Sequence, residues 1–166
     1  MKKFIIAFAI VFIVNLGCKK IIDQPVCACS PVSTGYLNLV VKNAAGNDLL
    51  NSNVTGSFAQ NQIQLYAKDA NGNIKQINFS IRPPITFNAE KFNYHQLLSQ
   101  EIAILAKSID HTFYLKLGNQ LPYEINLQVS SNLNKVEKVL IDKKEAPKDT
   151  GKIATDLGLT IYHLNI

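Results

Sequence analysis

The residues able to do chemistry in this chain are few and scattered. Its three cysteines, Cys18, Cys27 and Cys29, all precede Ser30. The histidines, His95, His111 and His163, stand far apart, in none of the spacings that set two imidazoles on one metal. Asp110-His111 is half of an acid–base pair, but no nucleophile accompanies it and a turn is the expected role. No G-x-S-x-G elbow, Walker loop or dinucleotide fingerprint occurs. Asp69-x-Asn71-Gly72-Asn73 has the outline of a calcium loop. That loop needs a bidentate acid further on, and Ile77 to Ile81 supplies none, so a tight turn is expected. The sequence therefore predicts no catalytic residue, no metal site and no cofactor, and the protein is not expected to be an enzyme.

Stepping from these residues to the elements that carry them, the dominant period is two. Leu37, Leu39 and Val41 alternate with Tyr36, Asn38 and Val40. Ile63, Leu65 and Ala67 alternate with Gln64, Tyr66 and Lys68. The same pattern recurs at Ile77, Phe79 and Ile81, at Phe113, Leu115 and Leu117, and at Tyr123, Ile125, Leu127 and Val129. Alternation of this kind puts one face on a core and the other in water, the signature of antiparallel sheets. Two turns share a pattern, Lys42-Asn43-Ala44-Ala45-Gly46-Asn47 and Lys68-Asp69-Ala70-Asn71-Gly72-Asn73, and Gly supplies the positive φ they need. Convergent turns explain the match more simply than an internal repeat. Pro83-Pro84 marks an exposed break. A short helix is expected over 89–99, then a strand over 101–107, and a closing strand over 160–166. With the inward residues assigned in this way, Tyr36, Tyr66 and Tyr114 point outward. Exposed rings can stack on sugar faces or anchor a protein partner. Cross-strand aromatic pairing, which stabilises a sheet, is the plainer reading, and the absence of tryptophan weakens a glycan platform.

The amino terminus carries the most specific pattern. Met1-Lys2-Lys3 precedes an apolar run from Phe4 to Val14 that closes at Leu16-Gly17-Cys18. As a helix, Phe4 to Leu16 would cover only ~20 Å of a ~30 Å hydrocarbon layer, too little to span it. A basic start and a short apolar core suit a removable export signal. The run resembles the lipobox of bacterial lipoproteins, with Asn15 at the usual Leu position and Leu16 one place late. The resemblance implies cleavage between Gly17 and Cys18 and acylation of the Cys18 thiol. Two or three chains there would hold the protein permanently, since each buried CH₂ contributes about 0.8 kcal/mol. Lys19 and Lys20 follow, in place of the Asp that retains such proteins in the inner membrane or the acidic cluster that sends them to the surface. The implied location is the cell envelope, lipid-anchored in the outer membrane and facing the periplasm.

These readings divide the chain into a signal peptide over 1–17, a lipidated tether over 18–34 and a domain over 35–166. The tether contains Pro25 and Pro31 and would reach about 20–25 Å on average. Cys27 and Cys29 lie within it. Their C-x-C spacing gives poor disulfide geometry, so a strained bridge, intermolecular pairing, an inert pair, or a lipid or metal role all stay open. No cysteine follows Cys29, so the domain's fold does not depend on disulfides. The formal net charge of +5 includes Lys2 and Lys3 of the signal, and what remains is too mild an excess for nucleic-acid binding. Lys135, Lys138, Lys143, Lys144, Lys148 and Lys152 are interleaved with Glu137, Asp142, Glu145 and Asp149, and the segment reads as a solvated surface loop.

The expected architecture is thus an all-β antiparallel β-sandwich, immunoglobulin-like or transthyretin-like. The two Lys-(Asn/Asp)-Ala-x-Gly-Asn turns resemble those of bacterial immunoglobulin-like domains. The expected role is non-enzymatic binding of an envelope protein or a glycan. The alternative is a structural accessory subunit of an envelope complex, offering an edge strand for assembly.

Overall fold

The computed structural model describes residues 35–107, 112–130 and 135–166. The readings on Gly17, Cys18, Cys27, Cys29 and Asp110-His111 lie outside them. Twelve strands form among the described residues: β1 (Leu37–Lys42), β2 (Ile63–Lys68), β3 (Ile74–Gln76), β4 (Ser80–Arg82), β5 (Ile85–Phe87), β6 (Glu90–Phe92), β7 (Gln96–Ser99), β8 (Thr112–Leu117), β9 (Tyr123–Val129), β10 (Val136–Ile141), β11 (Lys144–Glu145) and β12 (Tyr162–Asn165). Two short helices join them, α1 (Glu101–Leu105) and α2 (Lys152–Asp156).

The strands build a four-stranded sheet in the order β12-β1-β7-β4 and a six-stranded sheet in the order β11-β10-β9-β8-β2-β3. The inward residues predicted from the period of two meet between them. Leu37, Leu39, Val41, Leu97 and Leu164 from the smaller sheet share one core with Leu65, Phe113, Leu115, Ile125 and Val139 from the larger. The all-β sandwich is therefore present. All pairings within the two sheets are antiparallel except β1 with β12, which run parallel, Leu39 opposite Tyr162 and Val40 opposite His163. Tyr162 ties the sheets together: its ring is fully buried and its hydroxyl donates to the Val136 carbonyl at 3.2 Å. Burial, with help from the Glu145 and Glu137 charges, pushes that phenol up to about 12.

The smaller sheet is covered on its other face as well. Val40, read as outward from alternation, is 0% exposed. It packs with Phe92, Ile153, Ala154 and Ile161, contributed by the β5–β6 hairpin, α2 and the approach to β12. The order is thus three layers, with the four-stranded sheet in the middle and apolar on both sides.

Three further expectations are corrected. Residues 89–99 hold β6 and β7 rather than a helix, and the helix sits at 101–105, where a strand was expected. One contact is distant and one local: Glu101 opens the helix and accepts from the Asn78 backbone N–H, and the Ile102 N–H reaches Ser99 Oγ at 3.4 Å. Ile102 and Ala103 are thereby turned into the main core. The lysine-rich stretch 135–152 is not a solvated loop throughout. It contains β10, β11 and the start of α2, with Val136, Val139 and Ile141 buried. Its alternation is hidden because pairing with β9 shifts between Val136 and Lys138, and the extra residue of such a bulge resets the in–out order.

The two similar turns are built alike. Asn43 Oδ1 accepts from Ala45 N and Asn47 N at 3.0 and 2.9 Å, and Asp69 Oδ1 accepts from Asn71 N and Asn73 N at 2.9 and 2.8 Å. Gly46 and Gly72 take φ of 81° and 84°. The Asx side chain replaces a backbone acceptor and glycine removes the Cβ clash.

Candidate functional site

The outer face of the six-stranded sheet follows directly from its register. Alternation along β2 and β8 sends Gln64, Tyr66 and Lys68 outward beside Lys116, Tyr114 and Thr112. On one flank Gln76 of β3 stands opposite Tyr66, and on the other Glu124 of β9 stands opposite Tyr114. The result is one row, Gln76–Tyr66–Tyr114–Glu124, running about 14 Å across four strands. The two rings stack at 5.3 Å between centroids with planes 21° apart. Both phenols stay half-exposed. Partial burial, and then the neighbouring Tyr114 phenol, raise Tyr66 above its usual range, so its hydroxyl remains a neutral donor and acceptor at physiological pH.

Next to the rings lies an open depression of about 430 Å³, lined by Ser57, Phe58, Gln62, Gln64, Lys116 and Asn119. Gly118 shapes its floor. A Cβ there would come within 3.3 Å of the Phe58 ring, and the residue holds φ of 54°. Stacked rings, amides, an ammonium group and a shallow apolar floor can hold a polar partner by stacking and hydrogen bonds; they offer no acid, base and nucleophile together.

Of the three tyrosines singled out in the sequence, the structure brings two together. Tyr66 and Tyr114 are cross-strand partners. Tyr36, half-exposed at 50%, precedes β1 of the other sheet and belongs to no common row with them.

Two histidine–carboxylate pairs escaped sequence reasoning, because their members are 47 and 14 positions apart. Asp48 Oδ2 meets His95 Nδ1 at 2.8 Å and the His95 backbone N–H at 2.7 Å, while Oδ1 accepts from Leu50 N. Asp149 Oδ2 meets His163 Nε2 at 3.0 Å, while Oδ1 accepts from Gly151 N. Each carboxylate is thus committed to backbone as well as to imidazole. The pairs act as ties, the first joining the loop after β1 to the start of β7, the second fastening the α2 segment to β12. Burial lowers His163 below the usual histidine value, with the Lys42 charge adding to it and Asp149 opposing it. Beside it stand Tyr94, edge-on at 6.4 Å, and Lys42, whose ammonium lies 5.0 Å from the Tyr94 ring centroid.

Among the described residues no group of three or more His, Cys, Asp or Glu side chains is placed to hold a metal ion. Among them, too, no helix is long and apolar enough to cross a membrane. No family model matches the chain, and neither a curated protein nor a solved structure does.

Proposed function

We propose that this chain is a lipid-anchored lipoprotein of a bacterial cell envelope, held at Cys18, whose sandwich binds a polar partner without catalysing a reaction. The partner is an envelope protein or a glycan, and the binding surface is the Tyr66–Tyr114 face. The observation that carries this reading is the stacked, half-exposed tyrosine pair set beside a depression rich in amides and an ammonium group. Rings already stacked on each other present their outer faces and edges at low cost in conformational entropy, because little side-chain freedom is left to lose. The lipobox-like Leu16-Gly17-Cys18 supports the anchor, and Lys19-Lys20 supports the outer membrane facing the periplasm.

Site-specific photo-cross-linking in intact cells tests the surface. A benzophenone side chain at Gln64 or Lys68 should give one discrete adduct, lost in a folded Tyr66→Ala/Tyr114→Ala background. The same group at Lys152, on the far layer, should give none. Absence of any adduct from Gln64 and Lys68 would reject the surface. One observation favours the structural alternative: β3 is an exposed edge strand and its Ile74 is 61% exposed. An accessory subunit pairing through that edge should co-purify in fixed stoichiometry from solubilised membranes and lose its complex on Ile74→Pro, which removes a backbone donor that faces away from β2.

A further inference from the structure

The depression beside the tyrosine pair is built where the start of β2 meets the end of β8. Gln64 and Lys116 stand opposite each other on these strands and point outward, with about 5 Å between their Cβ atoms. The 3₁₀ turn Gln60–Gln62 leads into β2, and Gly118-Asn119 leaves β8. The Gly118 N–H donates to the Gln62 carbonyl at 2.8 Å, and Gln62 Oε1 accepts from Ala59 N at 2.8 Å. Backbone bonds therefore hold the rim in place. The Phe58 N–H donates to the Leu49 carbonyl at 2.8 Å, and its half-buried ring packs against the main core. A Cβ on Gly118 would come within 3.3 Å of Phe58 Cε1, so glycine keeps that ring edge open to the depression.

The lining brings three kinds of group. Phe58 is its one aromatic ring. Asn61, Gln64 and Asn119 bring exposed amides, each with a carbonyl acceptor and two N–H donors. Lys116 brings its single charge: no acid lines the depression, and Lys116 belongs to no ion pair among the described residues. A sugar ring uses all three kinds. Its C–H face packs on an aromatic side chain, and its neighbouring hydroxyls each donate and accept, as an amide does. An extended peptide finds no edge here, because β2 and β8 are interior strands with their backbone groups already paired. One ammonium balances one carboxylate, whereas a phosphate monoester carries about −1.5 to −2. The volume of about 430 Å³ falls within the range of about 300–1,000 Å³ for small-molecule sites.

We propose that this depression holds a uronic-acid unit of an acidic glycan, with its C–H face toward Phe58, its hydroxyls on the Asn61, Gln64 and Asn119 amides and its carboxylate on Lys116 Nζ. The inference rests on the binding role proposed above for this face and names the ligand class within it. Tyr66 lies two places along β2 from Gln64, about 7 Å away, so the next unit of the glycan reaches the phenols.

The full chain in detergent micelles is titrated with trimers of galacturonate, glucuronate and mannuronate, with their methyl esters and with sodium acetate, at matched ionic strength. NMR follows the Phe58 ring and the side-chain amide of Gln64. At least one acidic trimer should shift these resonances saturably. Its methyl ester keeps the sugar and loses the charge, so it should bind about tenfold more weakly, and acetate should not saturate. In folded Lys116→Gln the acid should weaken about tenfold and the ester should not change. Saturation by none of the three trimers, equal affinity for acid and ester, acetate as tight as the trimer, or full acid affinity in folded Lys116→Gln would overturn the assignment. The wild-type comparison of acid with ester needs no variant, so it decides the matter even where Lys116→Gln does not fold. A protein adduct from the Lys68 benzophenone, with no trimer bound, overturns the glycan and leaves the binding surface standing. Absence of any adduct from Gln64 and Lys68 removes the surface itself.

Discussion

At Gly118 the backbone and a neighbouring ring impose the same requirement. A side chain there meets an unfavourable φ of 54° and the Phe58 ring together. Gly118→Ala should lower stability by about 1–2 kcal/mol, read from the urea midpoint, and should shift the Phe58 ring resonances. The tyrosine pair makes a second residue-scale prediction. Offset-stacked aromatic pairs contribute about 0.5–1.5 kcal/mol beyond their buried area. A double-mutant cycle over Tyr66→Ala and Tyr114→Ala should therefore return a coupling in that range. A coupling near zero would mean that the 5.3 Å stack contributes nothing to the fold. Sequence alone reached these two tyrosines because strict alternation in β2 and β8 fixes which side chains leave the core. It grouped Tyr36 with them only because periodicity says nothing about which sheet a strand joins.

At the scale of elements, two hairpin turns do without glycine. Asn88 and Ala89 join β5 to β6 with φ of 47° and 66°, and Asp142 and Lys143 join β10 to β11 with 48° and 67°. Positive φ at both central residues is the type I′ pattern that suits a twisted hairpin. Ala89 pays a Cβ clash for it, so Ala89→Gly should raise the urea midpoint by the equivalent of about 1 kcal/mol. The absence of glycine is also why these hairpins were illegible in the sequence, whereas the turns at Gly46 and Gly72 stood out. The β10 strand was hidden for a different reason, since its bulge breaks the period of two that identifies a strand. Helix α1 was misread because Ile102-Ala103-Ile104-Leu105 is too short and too apolar for periodicity to separate a helix from a buried strand. Its contact with Asn78 comes from 23 residues away, which periodicity does not register. Val40 tests the covering layer directly. In a two-layer sandwich it would face water and Val40→Ala would cost under about 0.5 kcal/mol. Packed against Phe92 and Ile153, it should instead cost about 2 kcal/mol.

For the whole molecule, the third layer makes stability depend on pH. His163 has its proton affinity lowered in the folded state, so the folded form favours neutral imidazole. The contribution is fully present above the unfolded histidine value of about 6.5 and is lost as pH falls through the lower folded value. The urea midpoint should therefore fall between about pH 7 and pH 5, and His163→Gln, which keeps a donor toward Asp149, should flatten that slope. Glu101 and Glu145 are both held below the ordinary carboxylate value, by the Asn78 backbone N–H and by Lys138 respectively. Their contributions disappear only in a more acidic window, so the histidine effect can be read apart from theirs. The sandwich class was legible because its core strands alternate. The middle sheet's second apolar face was not, because Asn38 and His163 interrupt it with polar residues that a one-sided sheet would turn to solvent.

The proposed lipoprotein unites these scales: a binding module tied to a bilayer by its first mature residue. Intact-mass spectrometry of the chain extracted from native membranes tests that most directly. The account predicts a polypeptide beginning at Cys18 with the added mass of a diacylglyceryl group and an amide-linked acyl chain. A chain that still begins at Met1, or one with an unmodified thiol at Cys18, would contradict it.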